Sequence, residues 1–253
     1  MTVMQPNVLR ALSMLLLCGL LAGCATAPGR TSTADPWEGL NRRVYRFNDV
    51  ADRVALKPVA KAYQQVTPDW FRTGVSNFFT NLAYPTTIIN QLLQGKPGRA
   101  CKDTGRLVIN TVLGLGGLFD VAIHAGLPAN DEDFGQTLAV WGVPSGPALT
   151  IPFFGPSSVR DGPSRIADYF SGVTLYIDVS WELEWSARGL EIVNDRAELL
   201  PLEGQLSKVF DPYAFLRDAW AQRREYMIFD GSPPEPTFDD EFLDEEPAAP
   251  VAP

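Results

Sequence analysis

Proline recurs at the head of one apolar, helix-periodic segment after another: Asp35-Pro36-Trp37-Glu38, Lys57-Pro58, Thr67-Pro68-Asp69, Tyr84-Pro85 and Asp211-Pro212. Proline lacks an N–H and fixes φ, so it suits the first turn of a helix and interrupts an interior. The chain therefore reads as short to medium helices broken by Pro and Gly. Trp37, Leu40, Val44, Phe47, Ala51 and Val54 step by three and four, one apolar stripe on a helix over about 36–56. Asp35 is the expected N-cap, with Glu38 in a capping-box-like position, and the helix is expected to stop or kink at Lys57-Pro58.

A second helix is expected from Asp69, a break at Tyr84-Pro85 before TTIINQLLQ, and a cap at Gly95. Further helices are expected over about 99–113, 131–140 and 174–200, and from Asp211-Pro212 into YAFLRDAWAQRREYMIF. Strand signals are scarce. Leu149–Phe154 is a short candidate that Pro152 confines to an edge or a turn. The fold class is mostly α with few short strands. A single domain is expected, because the linker-like stretches lie at the ends.

At the N-terminus, Arg10 precedes ALSMLLLCGL and then Leu21-Ala22-Gly23-Cys24. A charged residue, an apolar run of about ten and a small-residue site read as a secretory signal. That run is shorter than the about 20 residues needed to span a bilayer. The last four residues match the bacterial lipobox, whose cysteine takes a diacylglycerol and an acyl chain. Acyl chains contribute about 0.8 kcal/mol per buried methylene. Cys24 is thus the expected lipidation site, and Ala25 after it favours export to the outer membrane. The expected layout is a signal peptide over 1–23, a tether over 24–34, a helical domain over 35–230 and a tail over 231–253. Only three cysteines are present. With Cys18 leaving and Cys24 acylated, Cys101 stands alone as an expected small buried residue, and no internal disulfide can form.

The net charge of −9 is concentrated in the tail, which holds seven acidic residues, no basic one and six of the 21 prolines. That composition reads as disordered. The rest is close to neutral and has no basic patch with interleaved aromatics, so nucleic acid is not an expected partner.

Asn110–Leu127, NTVLGLGGLFDVAIHAGL, holds a cluster of glycines and the only histidine. Phe119 stands where a dinucleotide fingerprint needs its third glycine, and Gly95-Lys96-Pro97 fails as a P-loop. No G-x-S-x-G elbow accompanies His124, which reads as a packed or interfacial side chain. One His and one free Cys cannot supply a usual zinc set. Asp131-Glu132-Asp133 lacks calcium-loop spacing and fits a helix N-terminus. No metal or soluble cofactor is expected, and no catalytic residue.

Residues 107–119 carry no charge over 13 positions. Such a stretch can lie in a membrane interface or bend as a helical hairpin, with Arg106 and Asp120 bracketing it at headgroup depth. It can equally be a core helix with a glycine turn.

Five motifs in order are similar to one family. They are D-P-W-E-G-L-N-R-x-V-Y-x-F-N-D at 35–49, N-x-x-x-N-L-x-x-P at 77–85, N-T-V-L-G-L-G-G-L-F-D-V-A at 110–122, E-D-F-G-Q-T-L-A-V-W-G-V at 132–143 and P-F-F-G-P-S-S-V-R-D at 152–161. With the lipobox they resemble the MlaA (VacJ) family of outer-membrane lipoproteins. The resemblance covers about residues 35–200 and leaves out the acidic tail. It implies a disc- or ring-like helical domain lying in the inner leaflet of the outer membrane, around an amphipathic channel. The implied task is removal of mislocalised phospholipids from the outer leaflet, which maintains lipid asymmetry, without hydrolysis. The implied partners are phospholipid, a trimeric porin and a soluble periplasmic carrier of the MlaC type.

In that setting Asn41, Arg42, Arg43 or Arg46 is expected to face the headgroup route, since arginine meets phosphate in charge-assisted hydrogen bonds. A solvated helix face is the alternative. Leu115, Gly116, Gly117, Leu118 and Phe119 are expected near acyl chains. The tail is a candidate attractor for a basic patch on the carrier. A structural lipoprotein that scaffolds porins without handling lipid is the rival function.

Overall fold

The computed structural model describes residues 35–172, 180–206 and 208–234. The expected signal peptide, Cys24, the tether and most of the tail lie outside them, as do residues 173–179 of the expected 174–200 helix.

The first helix, α1 (Glu38–Ala51), passes through a π-helical turn (Asp52–Leu56) into α2 (Lys57–Val66) without stopping. The Lys57 N–H reaches back five residues to the Asp52 carbonyl. A wider turn placed just before Pro58 lets the chain continue where an α-turn would meet the ring and the missing donor. Asp35 does not cap α1, which begins at Glu38 with no side-chain cap. Its carboxylate instead accepts from Asn41 Nδ2 at 2.7 Å and from the Tyr213 hydroxyl.

Helix α3 (Asp69–Leu93) runs unbroken through Pro85, contrary to the break expected there. Buried residues anchor the helix on both sides of the proline: Asn81 and Tyr84 up to it, Thr87, Asn90 and Gln91 after it. Tertiary contacts thus outweigh the lost backbone bond. Gly95 takes its left-handed φ of 73° and α4 (Pro97–Val112) follows. Next come a 3₁₀ turn (Ala122–Ala125) and α5 (Phe134–Val140), whose N-cap Asp133 accepts from the Gln136 N–H at 2.9 Å. Strands β1 (Ala148–Ile151) and β2 (Gly155–Ser158) form an antiparallel hairpin with Ala148 opposite Ser158. The chain ends with α6 (Asp161–Ser171), α7 (Trp181–Leu199), a 3₁₀ turn (Leu200–Leu202), α8 (Glu203–Leu206) and α9 (Pro212–Ile228). Asp211 caps α9 as its Asp-Pro signature implies, accepting from the Ala214 N–H at 3.2 Å.

The elements meet in a closed circuit. Helix α1 lies on β1, β2 on α9, α9 on α5, α5 on α3, α3 on α7, and α7 on α2, which returns to α1. The expected ring-like helical architecture with few strands is what the described residues form.

What the ring encloses is unusual. Among the described residues, 20 buried side chains are polar or charged and 11 are hydrophobic, most of those alanine. The largest fully buried ones include Tyr84, Gln91, Gln136, Asn41, Asn90 and Asn194. Outside lie Val54 (75% exposed), Trp70 (71%) and Phe153 (75%), among many others. Soluble domains arrange these classes the other way round. No described helix is long and apolar enough to cross a membrane.

Helix α1 shows how the sequence produces this. Its apolar stripe faces outward, with Trp37, Leu40, Phe47, Val50 and Val54 all exposed. The stripe that faces inward is Asn41, Tyr45, Asn48 and Asp52, also at helical steps. Asn41 is fully buried, donates to the Ala148 carbonyl at 3.0 Å and accepts from the Thr150 N–H at 2.9 Å. Asn48 clasps the hairpin tip, donating to the Ile151 carbonyl and accepting from the Phe153 N–H. Asp52 takes both arms of Arg196 at 2.7 and 2.9 Å. Asn41→Ala strands these hairpin groups in the interior. The expected cost is about 1–3 kcal/mol, read as a lower melting temperature and faster amide exchange at Thr150. An unchanged Thr150 amide would mean that Asn41 does not hold the strand.

Candidate functional site

The glycine stretch is a tight reversal at the end of α4. The Gly116 N–H donates to the Thr111 carbonyl, Gly117 to Asn110, both at 2.9 Å, and Phe119 to Gly114 at 3.0 Å. Two glycines are required by space. A Cβ on Gly114 would sit 2.2 Å from the Phe119 carbonyl oxygen, and one on Gly117, at φ +96°, 2.4 Å from Asn81 Cβ. Leu115 holds φ of 52°, which is costly for a side chain other than glycine. Its side chain is 67% exposed, and Leu113, Leu118 and Phe119 are exposed with it. The reversal therefore presents apolar side chains outward on a backbone closed by the Gly116, Gly117 and Phe119 hydrogen bonds. Between it, α3 and α4 lies an apolar groove of about 430 Å³, walled by Phe78, Leu82, Pro85, Val108 and Val112.

Arg106 and Asp120 do not bracket this surface. They pair with each other beneath it, and Arg106 also donates to the Tyr84 hydroxyl and the Leu127 carbonyl. Burial pushes the Tyr84 phenol up to about 12 against the opposing pull of Arg106. Asn110 completes this root, donating to Asp120 at 3.1 Å and accepting from the Ala122 N–H at 2.9 Å. His124 is exposed, and so is Cys101, which the sequence had suggested is buried.

The other candidates lie on α1 and separate into two pairs. Asn41 is committed to the hairpin. Arg42 forks onto Asp211 at 3.0 and 2.6 Å, bonds Glu38 at 2.6 Å and lies 4.6 Å over the Tyr213 ring. The Arg42 hydrogen bond, helped by the Ala214 N–H, holds the Asp211 carboxyl down at about 2. Arg43 and Arg46 are exposed and make no hydrogen bond or ion pair among the described residues. The structure thus does not gather Asn41, Arg42, Arg43 and Arg46 into one cluster with Leu115, Gly116, Gly117, Leu118 and Phe119.

Sequence reasoning missed the charged centre of the interior. Arg224 on α9 reaches Asp133 Oδ1 at 2.6 Å and Asp161 Oδ1 at 2.7 Å. Arg160 adds a second cation to Asp161 at 3.1 Å, and the Ser158 hydroxyl donates to it at 2.6 Å. Burial opposes the charges of Arg224 and Asp161. Their mutual attraction, with Asp133 and Arg160, prevails, raising the guanidinium and lowering the Asp161 carboxyl. Gly135 makes room: a Cβ there would lie 2.3 Å from both Arg224 Nη2 and Asp161 Oδ1. One signal was available, since Asp133, Gly135 and Asp161 all lie inside the motifs at 132–143 and 152–161.

The model of the family described as MlaA lipoprotein matches residues 33–227. An Escherichia coli (strain K12) protein, "Intermembrane phospholipid transport system lipoprotein MlaA", is 36% identical over 228 residues, covering 88% of this chain and 90% of its own length. The Haemophilus influenzae protein of the same name is 31% identical over 228 residues, 87% of this chain and 90% of its own. A solved structure from work described as "Structural basis for maintenance of bacterial outer membrane lipid asymmetry" matches with a TM-score of 0.69 at 35% identity. It covers 77% of this chain and 99% of the solved one. A ring of helices with a polar centre, matched to these relatives over most of their length, belongs to the MlaA lipoprotein family.

Proposed function

We propose that this chain is an outer-membrane lipoprotein, anchored through acyl chains on Cys24, that gives mislocalised phospholipids a passage out of the outer leaflet. The lipid is then handed to a soluble periplasmic carrier, which maintains lipid asymmetry. The observation that carries this reading is the inverted distribution of polarity. An apolar rim suits acyl chains in the periplasm-facing leaflet, and a polar interior suits headgroups that cannot cross hydrocarbon unaided. Arg43 and Arg46, exposed and unpaired among the described residues beside the outward stripe of α1, are cations available to lipid phosphate. Leu115, Leu118 and Phe119 on the glycine reversal are the side chains placed to meet acyl chains. A trimeric porin and a carrier of the MlaC type complete the proposed assembly, with the acidic tail as an attractor for the carrier. The chemistry is transport, in keeping with the names its relatives bear.

Photo-crosslinking in intact cells tests this. A probe at Leu115 is expected to capture phospholipid, identified by mass spectrometry, and the same probe at Phe238 in the acidic tail is not. Capture of protein alone from every position over 113–119 would overturn lipid contact there and favour a porin scaffold.

A further inference from the structure

A second, smaller pocket of about 170 Å³ lies between α3, α5 and α6, away from the apolar groove. Ile89, Leu93, Phe134 and Ala167 give it apolar walls, and Asn90, Asp168 and Ser171 a polar end. Asp168 is the unusual member. Its Oδ1 accepts from the Phe134 N–H at 2.8 Å and from Asn90 Nδ2 at 3.2 Å. Asn90 cannot turn away, because it also donates to the Thr86 carbonyl and accepts from the Thr137 hydroxyl. The second oxygen, Oδ2, makes no hydrogen bond, and no cation of the described chain pairs with this carboxylate.

Other interior acids are matched: Asp161 has Arg160 and Arg224, Asp120 has Arg106, Glu132 has Lys96, and Asp103, without a cation, takes amide donors from Gln91 and Asn130 on its two oxygens. Asp168 has neither a cation nor a donor for Oδ2. Burial pushes its carboxyl up to about 6, opposed by the Phe134 N–H and reinforced by Asp133.

One turn earlier on α6, Arg165 is an exposed cation with no hydrogen bond or ion pair. Its guanidinium lies 5.2 Å over the Phe154 ring at the exposed hairpin tip. Residues three apart on a helix are neighbours, yet Arg165 and Asp168 do not pair with each other. The helix thus offers an exposed cation and, one turn on, a carboxylate held by one oxygen with the other unbonded, beside the apolar walls and an exposed aromatic. That arrangement is complementary to an ammonium and a phosphate two carbons apart on an apolar body.

The geometry points to a seat for a zwitterionic phospholipid headgroup of the ethanolamine class, with the ammonium on Asp168, the phosphate on Arg165 and the acyl chains toward Phe154. This rests on the phospholipid reading above and adds a headgroup preference to it. The apolar walls favour a lipid-borne headgroup over a free phosphoethanolamine. The charged groups that bear on Asp168 are Asp133 at the start of α5, Arg224 on α9 and Arg165 on its own helix, while α3 contributes the neutral Asn90.

The test uses the full acylated chain in detergent, offered equal amounts of phosphatidylethanolamine and phosphatidylglycerol with identical acyl chains. Bound lipid is quantified after gel filtration. At pH 8 the native chain is expected to favour the ethanolamine lipid by about tenfold, the scale of one charge-assisted hydrogen bond. Asp168→Asn, which keeps the oxygen that accepts from Phe134 and Asn90, is expected to bring the ratio close to one. Arg165→Gln weakens capture of both lipids alike, because both carry the phosphate. Asp195→Asn on α7, another acid with a raised pKa but outside this pocket, leaves the native ratio unchanged. At pH 5 the native ratio falls as Asp168 takes a proton. Equal binding of both lipids by the native chain, an unchanged ratio in Asp168→Asn, or displacement by an equal amount of soluble phosphoethanolamine would overturn the inference and leave the phospholipid reading standing. Capture of no phospholipid at all would remove both.

Discussion

Arg224→Leu is expected to lower stability by about 3–5 kcal/mol, the usual cost of breaking a buried ion pair by removing one partner. For a chain of this size that corresponds to a drop of roughly 10 °C in melting temperature, measured by circular dichroism in detergent. The loss exceeds that of a surface pair because the Asp133 and Asp161 carboxylates stay where they are. Asp161 keeps Arg160, and Asp133 loses both arms of its cation. Arg224→Lys keeps the charge and loses the fork, so an intermediate loss is expected.

Acid provides a second readout. The Asp161 carboxyl is depressed in the folded chain. Its contribution is therefore complete above the ordinary carboxylate pKa of about 4 and is lost as pH falls through the lower folded value. The native chain should weaken over that window, and Arg224→Leu should weaken less, having already lost part of the contribution. Parallel acid limbs for the two chains would show that Asp161 draws its stabilisation from elsewhere.

Gly114→Ala is the second large effect. The added carbon meets two backbone carbonyl oxygens, Phe119 at 2.2 Å and Asn110 at 2.5 Å. Neither is the flexible end of a side chain, so the reversal itself must open. The cost should reach or exceed the about 1–3 kcal/mol typical of overpacking. Gly116→Ala is the matched control. It sits at φ +74° with nothing within 4 Å, so only the left-handed strain of about 1–2 kcal/mol applies. Hydrogen exchange at Gly117 and Phe119, whose N–H groups close the reversal, separates the two. Gly114→Ala should expose both amides, and Gly116→Ala should leave them protected. Equal exchange in the two variants would mean that close backbone contact is not what sets this turn.

The helices were legible where their signals are local. Asp211 caps α9, Gly95 ends α3, and the stripe from Trp37 to Val54 is helical. Periodicity, however, gives the angle between residues and says nothing about what covers them. Either stripe of α1 satisfies the same spacing, and only the neighbours of Asn41 and Asn48 show that the polar one faces inward. Pro85 misled because its helix is held by Tyr84 and Thr87 rather than by propensity. Strand β2, Gly155-Pro156-Ser157-Ser158, carries no β-forming residue and exists through its pairing with β1.

The charged centre was hidden by distance along the chain. Arg224 meets partners 63 and 91 positions away, and no local pattern marks such a pair. Of the candidate site, the apolar character of Leu115, Leu118 and Phe119 was readable, but lack of charge fits a core helix as well as a lipid-facing one, and their exposure needed the neighbours of the reversal. The separate placements of Arg42 and Arg43 needed the position of Asp211.

The polar interior has a thermal consequence. The heat-capacity rise on unfolding comes from newly wetted apolar surface, and wetting polar surface lowers it. In most domains hydrophobic stabilisation fades on cooling and the stability curve bends sharply. Here the apolar rim is outside already, and unfolding uncovers amides, hydroxyls and charges. A flatter stability curve than that of a soluble domain of this size is the expected consequence, with the ring's hold on its own shape changing little with temperature.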